Sequence, residues 1–173
     1  MSLFTLVPSS WRVEAGSLKS FHLQGATRFV ASALRRASEN QFLASFSVEL
    51  ALCEEDGLTY WAPHAHGIVA GLEIKVLRRE LRTLFAGDLN RRPVRLDFTQ
   101  TRDVPIVLNY ICKRVDTRKV RYFTESGRPR WRNGLPLRSH QQAEIDAWRS
   151  TFLVGDFYCR LGFKRNGRFL VRT

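Results

Sequence analysis

"FLASFSVELALCEEDGLTYWAPHAHGIVAG", residues Phe42 to Gly71, is the stretch on which the fold turns. Its first half alternates, with Phe46, Val48, Leu50 and Leu52 on one side and Ser45, Ser47, Glu49 and Ala51 on the other. Period two of this kind marks a β-strand with one face in a core. Asp56-Gly57 follows, a dipeptide suited to a two-residue hairpin turn. A second strand then runs from about Leu58 to Ala70. With this turn Glu55 opposes Leu58, so Glu49 faces His64 and Ser47 faces His66. A longer turn, Glu54 to Gly57, shifts the pairing by two and keeps Glu49 on the same face.

Helices and further strands flank this hairpin. A short edge strand fits Leu3 to Leu6, and helical spacing fits Leu18 to Glu39, weakened by Gly25. Glu73 to Gly87 has an apolar stripe of Ile74, Leu77, Leu81 and Leu84, with Gly87 as a C-terminal cap. Pro93 to Gln100 alternates, with Val94, Leu96 and Phe98 on one side. "DVPIVLNYICKRVD" predicts a helix with Asp103 as N-cap and Pro105 in the first turn. Lys119 to Glu125 reads as a strand, Ser126 to Gly134 as a basic loop, and "SHQQAEIDAWRSTFL" as a helix capped by Ser139. The end of the chain fits a short hairpin across Asn166-Gly167. The expected class is α+β: an antiparallel sheet of about five strands, with helices packed mainly on one face. Residues 1–125 form its core, and residues 126–173 a basic C-terminal extension packed on, or continuing, the same domain.

Composition narrows the function. The chain has 173 residues, 44% of them hydrophobic, enough for one sizeable core. No apolar run reaches the roughly 20 residues of a membrane helix. The N-terminus, broken by Pro8 and without a basic start, does not read as a signal peptide. Cys53, Cys112 and Cys159 are too widely spaced for a disulfide framework or a cysteine zinc site, so a reducing cytoplasm is expected. The net charge of +12, with a pI near 10.6, calls for a polyanion. Without a basic amphipathic helix bearing a broad greasy face, that polyanion is nucleic acid rather than a membrane surface.

His64 and His66 alternate with the small Ala65, so both imidazoles share one sheet face. Two surface histidines, or a polar cluster satisfied by its neighbours, would also read this way. With Glu49 across the hairpin they form a mixed nitrogen and oxygen donor set with open coordination positions. Such a set suits Mn²⁺ or Mg²⁺ when a phosphate supplies the remaining oxygens, and zinc is admissible. Glu54 or Glu55 replaces Glu49 if the turn is longer, and Asp97 is a more distant alternative. "YICK" sets Tyr110 and Lys113 three residues apart, neighbours on a helix face turned away from its apolar stripe. A phenol acting as nucleophile loses its proton as it attacks, and a nearby cation helps. A tyrosine at a helix–sheet boundary beside a solvated lysine gives the same spacing.

"PHAHGIVA", "NYICKRV" and the preceding strand "FLASFSVEL" together resemble the HUH endonuclease superfamily. These are the single-strand nucleases of rolling-circle replication initiators, plasmid relaxases and related transposases. The resemblance spans about Phe42 to Val115 and is closest to the initiators of plasmids and phages, where the histidines precede the tyrosine. Ala65 is smaller than the usual residue between the histidines. Arg114 stands where a second tyrosine would fall, which implies a single-tyrosine enzyme. No Walker A loop is present.

The resemblance implies a ferredoxin- or RRM-like nuclease fold in which His64, His66 and Glu49 hold Mn²⁺ or Mg²⁺. Tyr110, assisted by Lys113, would nick single-stranded DNA at a replication origin and rejoin it through a 5′-phosphotyrosine. Arg114, Arg128, Arg130, Trp131 and Arg132 are expected to hold the strand by phosphate contacts and base stacking. A host or plasmid-encoded helicase is an expected partner. A single-tyrosine transposase shares this chemistry, and a non-catalytic RRM-like domain shares the sheet and the charge.

Overall fold

Asp56 and Gly57 both adopt positive φ, 51° and 81°, as a two-residue turn matched to strand twist requires. The turn joins β3 (Leu43–Glu55) to β4 (Leu58–Ala70). Glu55 pairs with Leu58, Glu49 with His64 and Ser47 with His66, the expected register. The structure is a computed structural model that describes residues 1–38, 42–88, 93–98, 116–166 and 169–172.

Each long strand of this hairpin is flanked by two short ones. On the β4 side, β1 (Ser2–Leu6) pairs with residues 65–69 and β2 (Val13–Glu14) with Tyr60 and Trp61. On the β3 side, β6 (Arg118–Phe123) lies parallel to residues 52–54, and β8 (Tyr158–Leu161) lies antiparallel to residues 44–47. Strands β5 (Val94–Phe98) and β7 (Pro129–Leu135) extend the sheet beyond β1 and β6. The sheet therefore has eight strands and is mixed, larger than the antiparallel sheet of about five expected. Local turn chemistry reveals hairpins, but the parallel β3–β6 pairing joins segments far apart in sequence and leaves no local mark. Strands β9 (Phe163–Asn166) and β10 (Phe169–Arg172) form a separate two-stranded hairpin.

Three helices are described: α1 (Leu23–Arg36), α2 (Ile74–Leu84) and α3 (Ser139–Arg149). All three send apolar residues into one core with Phe4, Leu6, Phe46, Val48, Leu50, Leu52 and Trp61. The even-numbered residues of β3 thus face the helices, and Glu49 faces away. A short 3₁₀ turn, Leu18–Ser20, precedes α1 where a longer helix was expected. Glu144 of α3 ties these parts together: one oxygen accepts from the Gly16 and Leu18 amides at 2.9 and 2.8 Å, the other from the Trp61 indole at 2.9 Å. Ser139 opens α3 rather than capping it, and the Gln141 side chain accepts from the Arg138 amide at 2.9 Å.

The stretch expected as a basic loop is in large part strand β7, paired with β6. Pro129 opens it at the sheet edge, where a missing N–H costs little. Residues 129–134 are exposed on both faces, so no apolar alternation betrays the strand. The segment expected as the tyrosine helix lies outside the described residues. No described helix is long and apolar enough to cross a membrane.

Gly67 lies on the core face of β4, between the rings of Phe4 and Phe46, which sit 6.1 Å apart. A Cβ there would meet Phe4 ring atoms and the Phe46 Cβ at 2.5 Å. Gly67→Ala is expected to cost about 1–3 kcal/mol of stability through overpacking. A lower urea midpoint checks this, and an unchanged midpoint would mean that the rings yield freely.

Candidate metal centre

Glu49, His64 and His66 stand together on the sheet face turned away from the three described helices. The pleat puts them there: β3 and β4 alternate in phase, and the register sets Glu49 directly opposite His64. Glu49 Oε2 lies 3.9 Å from His64 Nε2 and 3.8 Å from His66 Nε2. The two rings meet edge to face, with centroids 4.6 Å apart. One donor atom from each residue falls within 4.8 Å of the others, so the trio can hold a metal ion. The separations of 3.9 and 3.8 Å between Glu49 and the two imidazoles suit atoms that share one ion through bonds of about 2.0–2.2 Å.

Surrounding groups orient the donors. His64 Nδ1 lies 3.0 Å from the Ala62 carbonyl oxygen, which can only accept. The proton therefore sits on Nδ1, and the Nε2 lone pair points toward Glu49. His66 Nδ1 lies 2.9 Å from Thr5 Oγ1, and Thr5 is the residue paired with His66 on β1. The Ser47 hydroxyl donates to Glu49 Oε1 at 3.4 Å. One row of opposed residues crosses five strands here: Arg95, Thr5, His66, Ser47 and Tyr158.

Both imidazoles are held neutral. Their side chains are only 12% and 17% exposed. Burial, reinforced by the neighbouring His66, lowers the His64 pKa to about 3. Burial also lowers that of His66 to about 4, with help from the cations Lys119 and Arg95. A neutral imidazole binds a cation without first shedding a proton. The same shifts predict an acid limit on stability. Unfolded histidines take up protons near pH 6.5, whereas these do so only near pH 3–4. Stability of the metal-free protein is therefore full above about pH 6.5 and falls as pH drops through the window to about 3–4. Thermal melts in chelator from about pH 7.5 to about pH 4 should show this decline, and the His64→Gln/His66→Gln double variant should flatten it. Equal slopes for the two proteins would place the acid sensitivity elsewhere.

The alternative carboxylates are engaged elsewhere. Glu54 points to the helix-covered side and pairs with Arg118 at 2.8 Å and Arg138 at 3.3 Å. Glu55 accepts from the Tyr60 hydroxyl at 2.9 Å and pairs with Arg121. Tyr60 shares the sheet face of the trio, but burial, the neighbouring Cys53 and the bond to Glu55 all raise its pKa. It makes a poor nucleophile. Tyr110, Lys113 and Arg114 lie outside the described residues. Arg128 sits in the turn after β6, while Arg130, Trp131 and Arg132 lie on β7. The register separates them further: Arg130 and Arg132 oppose Tyr122 and Val120, whereas Trp131 opposes Arg121, on the other face of the hairpin.

Sequence reading missed Thr5, Arg95 and Lys119. Each reaches this face through strand pairings with no local signature. Lys119 arrives on the parallel strand, opposite Cys53. Compared with known proteins, the chain matches no family model, and no curated protein or solved structure matches it significantly.

Proposed function

We propose that this chain is a rolling-circle replication initiator: a metal-dependent, single-tyrosine endonuclease that nicks and rejoins single-stranded DNA, with an HUH-type nuclease fold. One observation carries this reading: two neutral imidazoles and a carboxylate converge on one sheet face of a protein with net charge +12. The order of the motifs, with "PHAHG" before "YICK", supports the initiator branch.

A Mn²⁺ or Mg²⁺ ion held by Glu49, His64 and His66 would polarise the scissile phosphate and offset charge developing on it. Glu49 supplies the anionic oxygen, while His64 and His66, fixed through Nδ1 by Ala62 and Thr5, supply nitrogen lone pairs. Lys119, whose charge is felt by both imidazoles, adds positive potential where a phosphate approaches. The phenolic oxygen of Tyr110 forms a bond to phosphorus as the bond from phosphorus to the 3′-oxygen breaks. The departing 3′-oxygen ends as a hydroxyl, having taken up, on balance, the phenol proton. Lys113 offsets charge on the phenolate as it forms. The 5′-phosphotyrosine keeps the phosphoester bond energy, so the free 3′-hydroxyl can reverse the step without ATP.

Incubation with single-stranded origin-derived oligonucleotides and Mn²⁺ tests this reading. A slow-migrating band on a denaturing gel, absent when chelator is added, is the expected result. No covalent band with any single-stranded substrate would sink it.

A further inference from the structure

The β6–β7 hairpin carries three large exposed aromatics on a basic background. Phe123 is 57% exposed, Tyr122 44% and Trp131 40%. Exposed aromatic rings lose apolar stabilisation unless something covers them. Arg128, Arg130 and Arg132 form no ion pair among the described residues, so this hairpin carries positive charge that no carboxylate offsets. A nucleobase suits such a surface, because the exposed rings of the hairpin are flanked by cations on both of its faces.

The two faces of this hairpin differ. Lys119 is paired with Cys53 and so shares the side of β3 that carries Glu49. Alternation along β6 places Arg121 and Phe123 on that same side, and Trp131 joins them as the partner of Arg121. The ion pair between Arg121 and Glu55, which also lies on this side of β3, agrees. Arg121 is largely neutralised by Glu55 and Asp56, and its guanidinium lies 5.3 Å from the centre of the Phe123 ring. It braces the aromatic rather than meeting a phosphate. Lys119 has no carboxylate partner among the described residues. One sheet face therefore carries the trio, then Lys119, then Trp131 and Phe123, over about 25 Å.

We propose that this face of the β6–β7 hairpin is the binding site for the single strand flanking the nick, with bases stacked on Trp131 and Phe123 and a backbone phosphate at Lys119. The inference rests on the single-strand nuclease reading and deepens it by giving the substrate a path. Tyr122, Arg130 and Arg132, on the other face, add general attraction only.

Binding in chelator separates this claim from the chemistry. Fluorescence anisotropy is measured with single strands of about 16 and about 4 nucleotides, the span of common single-strand footprints. For the longer strand, Trp131→Ala/Phe123→Ala is expected to weaken binding about tenfold or more per aromatic, since each stacked base contributes that much. Trp131→Phe should restore most of the affinity, because a ring remains to stack on. Arg130→Ser/Arg132→Ser should reduce the salt dependence and leave the quenching of tryptophan fluorescence intact. Duplex DNA should bind the native protein and the Trp131→Ala/Phe123→Ala variant alike. Native affinity of that variant for the longer strand, with its melting temperature unchanged, would overturn the proposal. So would equal losses on duplex and single strand. If the native protein forms no covalent band yet the aromatic variants lose single-strand binding, the nuclease reading fails and the hairpin site stands. A normal covalent band with unaltered binding in those variants would instead uphold the nuclease and overturn the hairpin site.

Discussion

Tyr110→Phe is expected to abolish the covalent protein–DNA band while leaving DNA binding intact. The substitution removes one oxygen, the atom proposed to bond to phosphorus, and keeps the ring. When an enzyme loses its nucleophile, turnover falls by factors on the order of 10⁶, so no residual band should appear. Binding should survive because it draws on a charge of +12 spread over the surface. Denaturing gels and anisotropy on the same protein separate the two outcomes. Persistence of the band would move the nucleophile elsewhere. Tyr60 would not inherit the role, since it donates to Glu55 and its proton is held tightly. Tyr158, across Ser47 from the trio, would be the next residue to substitute.

Loss of a metal donor should be nearly as severe. His64→Ala removes a nitrogen already aimed at Glu49, and two protein donors remain. Partners that merely orient a ligand are worth about 10–100-fold in metal affinity, so removing a ligand should cost at least about 100-fold. Thr5→Val, which removes the hydroxyl beside His66 Nδ1 and keeps the shape, should weaken binding by about 10–100-fold. Titration calorimetry with Mn²⁺ gives this ranking directly, and circular dichroism checks that each variant is folded. Equal Mn²⁺ affinity in the native protein and His64→Ala would dismantle the metal centre, as would the absence of any binding by the native protein.

The central hairpin was legible because its information is local. Asp56-Gly57 sets the turn, alternation sets the faces, and together they put Glu49 opposite His64 without reference to the rest of the chain. Three candidate ligands of one site follow from one hairpin. The supporting shell was not legible, for the converse reason. Thr5 reaches His66 from the far N-terminus, and Lys119 from a parallel strand whose pairing nothing near it announces. Strand β7 reads as a loop because both of its faces are wet, so the burial contrast that reveals strands is missing. Surface hairpins of this kind are shaped by what they contact rather than by what they bury.

The outer edge of β3 belongs to two strands that the ribosome delivers late. Residues 52–54 wait for β6, and residues 44–47, including the fully buried Phe46, wait for β8. The β3–β4 hairpin can close as soon as both of its strands are synthesised, but one side then stays open through the making of about ninety more residues, some five to twenty seconds at ordinary translation rates. An apolar open edge is where nascent chains pair with one another. A protein built this way gathers its two histidines and their carboxylate early and is sealed against aggregation only when its last third arrives.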